Sequence, residues 1–164
     1  MSNDDETYRE NREALFVVEW FKRASRDQDF DREKLLALTE LRLDRRGLFK
    51  IPGPTCVVLG SRLTVLSLQR NRIKTLPREV GLLKSLRELY LRNNLIREVP
   101  TEIGSLANLQ QLHLQYNRLV SLPDELAQLT SLEELHTEGN GFQKTTAKQI
   151  MGLLPHLRWF SHDA

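Results

Sequence analysis

Leu63, Leu86, Leu109 and Leu132 stand 23 residues apart and open four segments of one design. The rows are "LTVLSLQRNRIKTLPREVGLLKS", "LRELYLRNNLIREVPTEIGSLAN", "LQQLHLQYNRLVSLPDELAQLTS" and "LEELHTEGNGFQKTTAKQIMGLL". A looser copy, "LTELRLDRRGLFKIPGPTCVVLGSR", starts at Leu38 and runs for 25 residues. A period of this length means a solenoid: each copy is one turn of a coil that cannot bury its apolar side without a neighbour.

Every recurrent residue has a physical task. In the copy that starts at Leu86, Leu89 and Leu91 alternate with Tyr90, which sends the leucines to the core and the tyrosine to the opposite face of a strand. Parallel neighbouring strands need a crossover of a dozen or more residues, and a 23-residue copy leaves room for one. Asn71, Asn94, Asn117 and Asn140 each follow a strand, where the chain turns sharply. Their carboxamides suit backbone groups that such a turn buries, so the spacing predicts an asparagine ladder. Pro77, Pro100 and Pro123 end the extended segment and open a short helical turn, where a missing N–H costs nothing. Val80, Ile103 and Leu126, followed by Leu83, Leu106 and Leu129, close the back of the core.

The pattern L-x-x-L-x-L-x-x-N-x-L-x-x-L-P resembles the leucine-rich repeat over Leu38 to about Phe160. Its L-P-x-x-[IVL]-x-x-L tail resembles the cytoplasmic class typified by Ras-suppressor and Ras-binding scaffold proteins. The resemblance implies an α/β fold: a short horseshoe solenoid with a concave parallel β-sheet, capped at both ends. It also implies binding through the concave face, with a small GTPase, a phosphatase subunit or a cytoskeletal motor component as partner.

The ends depart from the pattern, as the open ends of a solenoid must. Residues 1–37 read as a helical N-terminal cap. "TYRENREALFVVEWFKRAS", 7–25, has Leu15, Val18 and Phe21 on one broad face with Ala14 and Val17, and a second short helix is predicted from about Asp31 to Ala37. The competing reading makes this helix a dimerising or partner-binding element anchored by an exposed Trp20. Residues 38–139 hold five copies, starting at 38, 63, 86, 109 and 132, the last degenerate because Thr137 replaces a strand leucine and the proline is gone. Residues 140–164 resemble the C-terminal cap of intracellular leucine-rich repeat proteins. Ile150, Leu153 and Leu154 are expected over the last copy, with Leu157, Trp159 and Phe160 closing the end. The chain ends four residues after Phe160, so the expectation is a protein that is little more than its repeats. In the first copy Arg46 takes the asparagine position and cannot accept a hydrogen bond, so that turn is expected to differ.

Composition narrows the function. The formal charge of +2 over 164 residues argues for neither nucleic acid nor an anionic membrane surface as the main partner. Cys56, the only cysteine, has no partner for a disulfide and reads as a small buried hydrophobe. The acidic opening "MSNDDETYRENRE" is unlike a secretory signal. A cytoplasmic protein is expected, with a nuclear one or an exported bacterial effector reading the same way.

With leucine, asparagine and proline assigned to the scaffold, function falls to the variable strand positions. One column reads Arg42, Ser67, Tyr90, His113, His136; the next Asp44, Gln69, Arg92, Gln115, Glu138; a third Arg45, Arg70, Asn93, Tyr116 with Gly139; a flanking one Glu40, Val65, Glu88, Gln111, Glu134. All but Gly139 in the first three columns are the candidate partner-binding residues. Tyr and Arg are the types enriched at interface hot spots. Five strands about 4.8 Å apart and four residues long offer only about 250 Å², against about 800 Å² per partner in a standard interface, so a partner must also grip the rims.

His113 and His136 share a column, with Glu134 and Glu138 near. Such a group is able to hold zinc, but on an open face with unconstrained rings the expectation is neutral surface histidines with no metal or cofactor. There is no G-x-x-x-x-G-K, H-E-x-x-H or G-x-S-x-G motif, so no catalytic residue is assigned and an enzyme is not expected. The sequence thus predicts a non-enzymatic adaptor or regulator that binds protein through its concave face, as a monomer or weak homodimer. Self-assembly through the N-terminal helix is the alternative. Nucleic-acid binding through Arg42, Arg45, Arg70 and Arg92 ranks last, because Glu40, Asp44 and Glu88 flank them.

Overall fold

In the computed structural model, which describes residues 15–60 and 62–162, the extended segments come at the repeat period and pair in sequence order. Helix α1 covers residues 15–25 and α2 covers Arg32–Ala37. Strands β1 (Glu40–Arg42), β2 (Val65–Ser67), β3 (Glu88–Tyr90), β4 (Gln111–His113), β5 (Glu134–His136) and β6 (Trp159–Ser161) form one parallel sheet in the order β1-β2-β3-β4-β5-β6. The crossovers contain helix α3 (Gly53–Leu59), three 3-10 turns (Arg78–Leu82, Thr101–Ser105, Asp124–Gln128) and helix α4 (Lys144–Leu153). This is a leucine-rich repeat solenoid with its sheet on one side and helical turns on the other.

Register follows from the leucines. Leu41, Leu66, Leu89, Leu112 and Leu135 are partners across β1 to β5, and all are buried. Each fully buried side chain of this size stabilises by roughly 1.5–3 kcal/mol, which makes these columns the main source of stability. Pro77, Pro100 and Pro123 precede the 3-10 turns with ψ of 149°, 147° and 147°, so the extended chain reaches each proline and then coils. The longer first copy, with its "PGPTC" insertion, forms α3 instead, and Cys56 lies inside it, 2% exposed. Burial and the charge of Glu79 push its thiol up to about 12, so at neutral pH it is an inert packing group.

The asparagines stitch backwards. Asn94 Oδ1 accepts from Ile73 N–H (3.1 Å), and its amide donates to Leu68 O (2.9 Å) in the preceding coil and Leu91 O (3.0 Å) in its own. Asn117 repeats this with Ile96 N–H, Leu91 O and Leu114 O, and Asn140 with Leu119 N–H, Leu114 O and Thr137 O. Because each asparagine serves the turn before it, Asn71 supplies the turn around Arg46, accepting from Arg46 N–H and Leu48 N–H at 3.0 Å each. The first turn is therefore closed like the others, against expectation. Arg46 is tolerated because no earlier coil waits for its side chain.

The ends bring three corrections. Of the predicted α1 face, Val17, Val18 and Phe21 are buried and join Ala24, Phe30 and Leu35 in the same core as the repeats, but Leu15 is 65% exposed. The helix is rotated so that Val17 takes the inward position; Ala14 lies outside the described residues. Trp20 packs against the core, half-buried, and does not stand out as an anchor. At the other end Ile150 and Leu154 are buried, and Thr137 is buried with its hydroxyl donating to Ser161 O (3.0 Å) of β6. Phe160 pairs in register with Leu135 and packs inward, whereas Trp159 pairs with Glu134 and is 61% exposed. Alternation along β6 forces that outward placement. No helix among the described residues is long and apolar enough to cross a membrane.

Candidate functional site

The parallel register assembles the expected columns. Arg42, Ser67, Tyr90, His113, His136 and Ser161 stand side by side across β1 to β6. At the centre three rings lie in a row: Tyr90 is tilted against His113 at 4.7 Å between centroids, and His113 stacks on His136 at 4.4 Å. The flanking column holds the stack from one side. Tyr90 Oη donates to Glu88 Oε2 (2.8 Å) and lies 2.9 Å from Gln111 Oε1. Burial first, then the bond to and charge of Glu88, push the phenol up to about 12. His136 Nε2 lies 3.6 Å from Glu134, and its Nδ1 is 2.7 Å from Ser161 Oγ. The histidines are therefore pinned and half-buried, not the free surface rings the sequence suggested.

His113 is pulled down to about 4 from 6.5, chiefly by burial and then by His136, with a smaller push from Arg92; Glu134 and Glu138 oppose the shift. The neutral ring belongs to the folded state. Between these two values the unfolded chain binds a proton that the folded one does not, so folding weakens as pH falls from about 6.5 to about 4. Across that window Tm is expected to drop, and the His113→Phe variant should show a shallower drop. Parallel pH–Tm curves for the two proteins would reject the assignment.

Burial divides the predicted partner-binding residues. Ser67 has no exposed surface and Gln115 is 7% exposed, so neither is accessible to a partner. Ser67 Oγ and Gln69 N–H both donate to Asp44 Oδ1 at 2.7 Å, and Gln115 props the His113 ring. Arg42 is tied to Glu40 at 3.2 Å. Among the described residues three buried atoms of this face have no hydrogen-bond partner: His113 Nε2, Gln115 Oε1 and Glu138 Oε2.

The third column leaves the sheet by a left-handed residue in each coil. Arg45, Arg70, Asn93 and Tyr116 have φ of 57°, 56°, 57° and 55°, and Gly139 of 69°. That conformation costs an ordinary residue about 1–2 kcal/mol. It is held because the Arg45, Arg70, Asn93 and Tyr116 N–H groups each bond to a carbonyl of the next coil, at Gln69, Arg92, Gln115 and Glu138. Gly139 ends the series, and the Tyr116 ring fills the space where its Cβ would be.

The bend throws side chains onto the rim formed by the turns after β1 to β4. Arg45, Arg46, Lys50, Arg70, Arg72, Lys74, Arg92, Arg97 and Arg118 are all exposed there, and none forms an ion pair among the described residues. The same four turns contain two carboxylates, Asp44 and Glu98. Two arginines lie over exposed rings: Arg92 on Tyr116 (5.1 Å) and Arg72 on Phe49 (5.8 Å). Reading the strand columns alone found Arg45, Arg70 and Arg92. It missed the rest, which a charge count over the turns would have shown.

Residues 58–163 match the family model of a leucine-rich repeat region. The chain belongs to the leucine-rich repeat family. A leucine-rich repeat protein of Leptospira interrogans is similar at 34% identity and a TM-score of 0.74, over 80% of this chain and 32% of that one. The repeat ectodomain of the receptor kinase SOBIR1 from Arabidopsis thaliana is similar at 29% identity and a TM-score of 0.61, over 73% of this chain and 66% of that one. An internalin of Listeria monocytogenes, 21% identical with a TM-score of 0.61, shares the fold. This repeat protein spans about a third of the Leptospira protein's length. No curated protein sequence matches it.

Proposed function

We propose that this repeat protein is a non-enzymatic protein-binding module, an adaptor or regulator, that holds an acidic segment of its partner across the ring stack and the basic turn rim. Leucine-rich repeat domains generally mediate protein–protein interaction. The observation that carries the reading is the rim itself: nine exposed cations, none ion-paired among the described residues, against two carboxylates in the same four turns. The strand face is too small for a standard interface, and the rim extends it on the side where Arg92 lies over Tyr116. Charge complementarity of this kind sets partner choice and association rate. The proline-led 3-10 turns support the Ras-suppressor-like class, and with it a small GTPase, phosphatase or cytoskeletal partner inside the cell.

The test is capture from extract of the native cell by the unmodified chain and by an Arg70→Glu, Arg72→Glu, Arg92→Glu variant. Reversing three rim charges is expected to weaken capture about tenfold or more, with Tm nearly unchanged. Capture that is undiminished at physiological salt would reject the rim. Nucleic acid in place of protein in the captured material would move the assignment to a phosphate-binding role.

A further inference from the structure

Two imidazoles and a carboxylate meet beside the ring stack. One ligand atom each from His113, His136 and Glu134 lies within 4.8 Å of the other two. We propose that these three side chains form a binding site for a divalent transition-metal ion of the zinc type, which goes beyond the partner-binding reading and does not depend on it.

The second nitrogen of each ring is already engaged, as it is in metal-binding histidines. His136 Nδ1 sits 2.7 Å from Ser161 Oγ, leaving Nε2 toward Glu134. His113 Nδ1 lies 3.4 Å from the Gln115 carboxamide nitrogen. Oxygen and nitrogen of a carboxamide have nearly the same shape, so half a turn brings Gln115 Oε1 onto His113 Nδ1–H. That turn pairs Oε1 with the ring N–H, puts the carboxamide NH2 where Oε1 stood, and leaves a lone pair on His113 Nε2, which is buried without a partner. Gln115 is 93% buried, and its carboxamide lies against the His113 ring. Folded proteins leave few such atoms, and here His113 Nε2, Gln115 Oε1 and Glu138 Oε2 fall in one cluster. A cation held by the trio answers His113 Nε2, the orphaned atom that belongs to it.

The donor set selects the ion. Imidazole nitrogen with one carboxylate suits zinc, cobalt or nickel; calcium and magnesium require oxygen. Neighbouring ligands on a tetrahedral zinc ion are about 3.3 Å apart, given bonds of about 2.0–2.1 Å. The trio must therefore draw inward, and the rings, now 27° from parallel, must turn about their soft second torsion. With three protein ligands one position stays open to water or an incoming oxygen.

The test is calorimetric titration of the full chain, stripped of metal, with zinc chloride, and the visible absorption of its cobalt form. One ion per chain is expected with a Kd near 1–10 μM, and a ligand-field spectrum of tetrahedral cobalt. His136→Gln and Glu134→Gln, each checked for an unchanged circular dichroism spectrum, should raise Kd more than about 30-fold. Ser161→Ala should raise it about tenfold, through the ring that Ser161 orients. A variant with both His156→Ala and His162→Ala should bind as before. Zinc binding that survives His136→Gln, or no binding by the unmodified chain at about 100 μM zinc, would overturn the site.

Discussion

Asn94→Ala is expected to destabilise the fold by about 3–4 kcal/mol, more than the loss of an average polar side chain. The reason is the continuity of the ladder. Leu68 O accepts from Asn71 and Asn94, and Leu91 O accepts from Asn94 and Asn117, so each carbonyl joins two carboxamides. Removing Asn94 leaves the buried Ile73 N–H with no partner, at roughly 1–3 kcal/mol, and takes one of two bonds from each carbonyl, at roughly 0.5–1.5 kcal/mol apiece. Chains of hydrogen bonds polarise one another, which adds to the loss at a central position. Asn94→Asp is expected to cost more than Asn94→Ala despite its nearly identical shape, because it puts a carboxylate against two carbonyl oxygens. Asn140→Ala should cost about half as much, since Asn140 is half-buried. Denaturant unfolding of the three variants gives the ranking, and a loss below about 1 kcal/mol for Asn94→Ala would remove the ladder from the account of stability.

Most of the fold was legible because a fixed period converts sequence position into spatial position. Once Leu66, Leu89, Leu112 and Leu135 are neighbours, the ring column of Tyr90, His113 and His136 follows with no further information. Trp159 was legible on the same logic and was misread: as the partner of Glu134 it had to face outward. What the period does not reveal is how side chains lean on each other within a face. Ser67 and Gln115 sit at surface positions of their strands and are nonetheless covered, Ser67 held down by Asp44 and Gln115 lying along the His113 ring. The direction of the asparagine stitching was likewise hidden, because a carboxamide in a turn reads the same whether it serves the coil before or the coil after. Arg46 is harmless because Asn71 of the following coil closes its turn. Leu15 was lost to helix phase: Val17 and Val18 can both point inward only when Leu15 points away.

The back of the solenoid holds the second large effect. Gly81 and Gly104 occupy the same place in successive 3-10 turns, and the third turn has Ala127 there. A Cβ at Gly104 would lie 2.6 Å from Glu125 O, and one at Gly81 2.7 Å from Glu102 O. Both obstacles are main-chain carbonyls of the next coil, which cannot swing aside as a side chain would. Beyond Ala127 the next element is α4 instead of another 3-10 turn, and Ala127 is exposed. Glycine is thus required where a tight turn follows and dispensable where none does. Gly104→Val and Gly81→Val are each expected to cost about 3 kcal/mol, the upper end for overpacking, which for a chain of this length lowers Tm by about 6–12 °C. Ala127→Val should stay within about 1 kcal/mol of the unmodified protein. If all three valines proved equally harmless, the spacing of the coils would not be set by these close approaches. The strands would then fix it alone, and the glycines would be incidental.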